Sequence, residues 1–96
     1  MKNKWKDTTS YSQSDVERVP REWTLEVGSL QVIVHRYHGC EGWFGSCYGM
    51  GVERTQLTSV DGEDAKLELV RLLYLLSKRR FDAFSTAYQR ENAKKT

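Results

Sequence analysis

His35, His38, Cys40 and Cys47 fall within thirteen residues, and all four are zinc-ligand types. Their spacing reads H-x2-H-x-C-x6-C. It holds no C-x2-C pair and no matching second half, the pattern by which short chains enclose a tetrahedral ion. Strand geometry also separates the four. His35 and Cys47 would lie mid-strand, and His38 and Cys40 at the loop end, about 10–15 Å away at about 3.4 Å per residue. The pattern therefore predicts no metal, with Cys47 a buried core residue and Cys40 a loop residue. Thiol chemistry needs a base and a means of lowering the cysteine pKa. Cys47 could face His35 across a hairpin in one register, but no orienting third group accompanies them. There is no G-x4-G-K phosphate loop, no G-x-G-x-x-G and no isolated carboxylate pair. The residues predict a non-enzymatic protein without a cofactor.

The same stretch, "GCEGWFGSCYGMG" from Gly39 to Gly51, carries aromatic residues that could bind instead of react. Trp43, Phe44 and Tyr48 follow His35 and Tyr37. Aromatic side chains on an open sheet can stack nucleic-acid bases or fill a protein interface. His35 and Tyr37 are expected to face away from the core, joined by either Phe44 and Tyr48 or Trp43, depending on register. The strands also carry Glu22, Glu26, Glu41 and Glu53, which oppose phosphate binding. A competing expectation is that the N-terminal arm covers this face, with Trp5 as its plug.

The elements that must position these residues are short strands and one helix. Residues 1–20 form a polar arm ending at Pro20, with a capping-box match at Ser14 and Glu17. Residues 21–96 read as one domain. In "REWTLEV", Trp23, Leu25 and Val27 alternate with polar residues, as in a half-buried strand. Gly28-Ser29 signals a tight turn. "LQVIVHRY" is rich in β-branched and aromatic residues, and "HGCEG" is a hairpin loop. "WFGSCYG" and a weaker "VERTQLTS" follow. The short connections predict three or four antiparallel strands.

Asp61 is a good N-cap for a helix, and Val60 with Ala65 occupies the hydrophobic-staple positions. No Gly or Pro occurs from Ala65 to Glu91, so the helix can run about 30 residues, roughly 45 Å. A break near Ser77 to Arg80 has no breaker residue to cause it. Ala65, Leu69, Leu72, Leu73 and Leu76 form a stripe assigned to the sheet. A second stripe runs Leu67, Val70, Tyr74, Ser77, Phe81, Phe84 and Tyr88, alternately three and four apart, as in a coiled-coil seam. One sheet covers one side of a helix, so this stripe must meet the arm, a second copy or another protein. A homodimer is the expected solution.

The 96 residues carry 15 Lys and Arg against 13 Asp and Glu. A net charge of +2 is too small to mark a nucleic-acid binder by itself. From Lys78 onward, however, six basic residues meet two acidic ones. Arg79, Arg80, Arg90, Lys94 and Lys95 are thus the candidate nucleic-acid contacts. The longest apolar run, Leu72 to Leu76, is too short to span a bilayer, and the N-terminus has no secretory apolar core. These features predict a cytoplasmic protein with reduced cysteines.

From Trp23 to Leu73 the chain reads "W-x-L-E-V-G", "V-x-V-H-R", an aromatic strand ending in Gly, then "L-T-S-V-D-G-E-D-A-K" into an apolar helix. This layout resembles small phage and prophage accessory proteins. It is also similar to the strand–strand–strand–helix half of double-stranded-RNA-binding domains. The helix there opens on Gly62-Glu63-Asp64 where an RNA binder needs lysines, which argues against duplex RNA. The phage resemblance implies stoichiometric contact with a host protein, as in anti-CRISPR and other counter-defence inhibitors. The expectation is an α+β protein that binds a host protein. The alternative is a nucleic-acid-binding accessory protein.

Overall fold

The computed structural model describes residues 3–12, 19–37 and 41–94. Among the described residues five strands form one antiparallel sheet in sequence order: β1 (Lys6–Asp7), β2 (Glu22–Val27), β3 (Leu30–His35), β4 (Phe44–Cys47) and β5 (Val52–Gln56). A 3-10 turn, Tyr48–Met50, separates β4 from β5, and one helix, α1 (Gly62–Ala93), follows. The α+β meander matches the sequence expectation, with one strand more than the three or four anticipated.

The extra strand comes from the arm. Lys6 pairs with Thr24, and Asp7 with Trp23. Beyond them the Thr9 hydroxyl accepts the Arg21 and Glu22 N–H groups at 2.8 and 2.9 Å. Trp5 packs against the core. Lys66 of α1 lies over the Trp23 and Trp5 rings at 4.2 and 5.8 Å and pairs with Glu63 at 2.7 Å. The arm is thereby tied to the helix side of the sheet. The Ser14–Glu17 capping box, His38, Cys40 and Lys95 lie outside the described residues.

β2 and β3 pair from Glu22–His35 to Val27–Leu30 across the Gly28-Ser29 turn. Gly28 has φ +60°, and Arg54 is the only non-glycine with positive φ among the described residues. Positive φ at the first turn position alone is the type II′ pattern, whose twist suits a two-residue hairpin. The register places Trp23, Leu25, Val32 and Val34 on one face with Gly45 and Cys47 of β4. Ala65, Leu69 and Leu73 of α1 close that face, and Leu72 and Leu76 pack at its margin. Val27, expected in the same set, is exposed at the hairpin end.

Asp61 caps α1 by accepting the Glu63 N–H at 2.7 Å. The staple does not form: Val60 is 91% exposed while Ala65 is buried. Trp43 takes that place. Its indole N–H donates to the Val60 carbonyl at 3.1 Å, and its ring lies 5.3 Å from that of Trp23. The Trp pair sits so close under Gly62 that a Cβ there would meet Trp23 at 2.8 Å. Glu68 fixes the preceding loop by accepting the Thr58 and Ser59 N–H groups at 2.8 and 2.9 Å, along with both hydroxyls. The helix runs unbroken for 32 residues.

Candidate interaction surfaces

The face of the sheet opposite α1 collects most of the predicted binding residues. Side chains alternate along a strand, so Ile33 and His35 of β3 and Phe44 and Ser46 of β4 share this open face. The rings of His35, Tyr37 and Phe44 lie 5.0 to 6.0 Å apart, close enough to form one cluster. Tyr48, 55% exposed, stands beside it on the 3-10 turn. Ile33, His35, Tyr37, Ser46 and Tyr48 line a shallow pocket of about 230 Å³ with Glu22 and Arg54, and Phe44 stacks at its side against His35. Trp5 packs on the other side of the sheet and leaves the cluster unplugged.

Trp43 does not belong to this surface. It is 5% exposed in the core, so the register resolves in favour of Phe44 and Tyr48. Two residues from loop to strand decide this: Trp43 precedes the first paired residue, Phe44, which sits opposite His35. A slip of one residue would exchange the two faces.

A hydrogen-bonded link lies beneath the cluster, and the sequence did not announce it. Gly45 pairs with Thr55, but Cys47 pairs with Val52, so β5 carries one extra residue opposite Ser46. Arg54 enters the left-handed region there, at φ +44°. Its N–H donates to Ser46 Oγ at 2.9 Å, and Ser46 Oγ lies 3.3 Å from His35 Nε2. Burial holds the His35 pKa below its ordinary 6.5; Glu22 opposes that shift and Arg54 adds to it. The tautomer of the neutral imidazole sets whether Nε2 accepts the Ser46 hydroxyl hydrogen or donates to its oxygen, and in both cases that oxygen accepts from the Arg54 N–H. The Ser46–His35 pair looks like a nucleophile and its base, but Ser46 is 1% exposed and its oxygen is already engaged. The arrangement pins the bulge and orients the imidazole.

Cys47 is fully buried on the helix side, whereas His35 is on the open side. The register that would have let them meet is not adopted. Among the described residues no group of three His, Cys, Asp or Glu side chains could hold a metal ion.

The second surface is on α1. Tyr74, Phe81, Phe84 and Tyr88 are 63, 71, 77 and 71% exposed, and Leu67 is exposed beside them. Val70 departs from the expected stripe, since it is half-buried and packs on the core. The basic residues are less concerted than the sequence implied. The Arg80 guanidinium donates to the Met50 carbonyl at 2.6 Å, and Lys94 pairs with Glu91 at 3.5 Å. Arg79 and Arg90 are exposed. No helix among the described residues is long and apolar enough to cross a membrane. Comparison with protein-family models, with curated proteins and with solved structures finds no match to this chain.

Proposed function

We propose that this chain is a non-enzymatic binding protein that acts by stoichiometric contact with another protein through the open face of its sheet. The observation that carries the reading is the aromatic cluster of His35, Tyr37 and Phe44, with Tyr48 beside it. It lies on the sheet face that α1 leaves uncovered. Phe44 on β4, Tyr37 just past the end of β3 and Tyr48 on the 3-10 turn offer a large aromatic contact area, as interface anchors do. The nearby groups with chemical potential, Cys47 and Ser46, are sealed from substrate. The sequence resemblance supports a host protein as the target and phage counter-defence, as against a CRISPR system, as the role.

Nucleic-acid binding is the competing function. Glu22 stands at the pocket, Arg36 lies over the Trp43 ring at 5.9 Å, and Arg80 and Lys94 are engaged within the chain. The test pairs the wild type with a Tyr37→Ala, Tyr48→Ala variant. Each is used to capture partners from host lysate, and each is titrated with single- and double-stranded nucleic acid at low salt. The proposal expects one protein held one-to-one by the wild type and lost by the variant. Equal capture by both would move the contact off the sheet face. Tight nucleic-acid binding at low salt, where its electrostatic part is strongest, would favour the competing function.

A further inference from the structure

The helix stripe poses a separate problem from the sheet face. From Phe81 to Ala93 every residue except Ser85 is exposed. Among the described residues the last hydrogen bond from α1 to the sheet layer runs from Arg80 to Met50, and the molecule is 68 Å long and 24 Å wide, with the helix projecting along its length. A free helix of about 13 residues is marginal in water, and apolar rings along it need a partner. The geometry points to a second copy of this chain, paired antiparallel along α1.

Size complementarity sets the direction. With Tyr74, Phe81 and Tyr88 as one seam position and Ser77, Phe84 and Glu91 as the other, an antiparallel pair matches residues whose numbers sum to 165, and Leu67 and Val70 lie beyond the overlap. Phe81 then meets Phe84 of the second copy, and the two layers form an aromatic centre. Ser77, the one small residue of the seam, meets Tyr88, the ring that needs its space. Tyr74 meets Glu91, which can accept its hydroxyl hydrogen. A parallel, in-register pair would instead set Ser77 against Ser77, leaving a hole, and Glu91 against Glu91.

Charge permits the antiparallel arrangement. Arg71 and Lys78 flank the stripe on one side. On the other side Lys66 lies over the Trp23 ring and pairs with Glu63, and Arg80 donates to the Met50 carbonyl, so both are turned to the sheet. Antiparallel pairing opposes Lys78 to Ser85 and Arg71 to Asn92, with no like charges in contact. It also brings each helix C-terminus beside the N-terminal half of its neighbour, with the two sheets at opposite ends. The area suffices. At about 200 Å² for a whole aromatic side chain, Tyr74, Phe81, Phe84 and Tyr88 offer roughly 550 Å² per copy. Rings alone then bury roughly 1,100 Å² in the pair, and the flanking residues bring it into the range of about 1,200–2,000 Å² of specific interfaces.

Sedimentation equilibrium on the full chain tests the second copy, and cross-linking tests its direction. The wild type should be dimeric at tens of micromolar. Phe81→Asp with Phe84→Asp should keep the wild-type amide-exchange protection of β2 to β5 and of α1 up to Arg80, and raise the dissociation constant by roughly 100-fold or more. In a Cys40→Ser background, chains with Lys78→Cys mixed with chains with Ser85→Cys should form a disulfide-linked heterodimer, while neither cross-links alone. A monomeric wild type overturns the proposal. So does a dimer that the double aspartate variant leaves intact, or a mixed cross-link that fails to form. If the aspartate variant unfolds, the cross-link alone decides. None of these outcomes depends on what the sheet face binds.

Discussion

Gly45 is the position where one added carbon should cost most. It lies on β4 directly under α1, and a Cβ built there would fall 2.6 Å from Leu69 Cδ1 and 2.9 Å from Cδ2. Real Cβ contacts almost never come below 3.0 Å, so something must move by about 1 Å. Leu69 has nowhere to go, because it is fully buried at the centre of the helix–sheet contact. Overpacking of this kind costs about 1–3 kcal/mol. A value near 2 kcal/mol would lower the melting temperature of a domain this size by roughly 8–16 °C. Urea unfolding of Gly45→Ala, Leu69→Val and the double variant measures the cost and its origin. Leu69→Val alone should cost about 1–2 kcal/mol by truncating the core. It also removes the two clashing methyl groups, so the double variant should be more stable than additivity predicts by about 1 kcal/mol or more. A Gly45→Ala cost below about 0.5 kcal/mol, or strictly additive effects, would refute the packing described for α1 on the sheet.

Three further outcomes follow from individual contacts. The pKa of His35 is lowered in the fold, so the unfolded chain binds the proton more readily; stability should fall as pH drops below about 6.5, and His35→Gln should flatten that slope in urea titrations between pH 7 and 5. Glu68→Ala removes the carboxylate that gathers Thr58 and Ser59, and should cost about 1–2 kcal/mol and speed amide exchange at both residues. Arg54→Gly relieves the left-handed backbone and should leave stability unchanged or raise it by up to about 1 kcal/mol, whereas Glu53→Gly should lower it by a similar amount.

What could be read from the chain was whatever repeats or caps locally. Ala65, Leu69 and Leu73 recur with helical period, Asp61 is a strong cap, and Gly28-Ser29 is a hairpin turn; all three are seen. The features that escaped depend on partners distant in sequence. β1 is two residues long and has no periodicity of its own; it exists because Thr24 and Trp23 offer it an edge. Trp43 and Phe44 are adjacent aromatics, and only the pairing of Phe44 with His35 decides which one is buried. The staple at Val60 failed because the Trp43 indole claimed the Val60 carbonyl and the space above the sheet. The Ser46 link joins three strands, and arginine gives no hint of a left-handed residue at position 54. Of the two surfaces, the helix stripe was legible from its three-and-four spacing, apart from the inward lean of Val70.

The open sheet face is proposed as the contact with a partner. Hydroxyl-radical footprinting by mass spectrometry, with and without the captured partner, tests it residue by residue. Tyr37, Phe44 and Tyr48 should react in the free chain and lose most of that reactivity in the complex, while the buried Trp43 stays protected in both. Unchanged reactivity at Tyr37, Phe44 and Tyr48 in a complex that has demonstrably formed would place the contact on another surface.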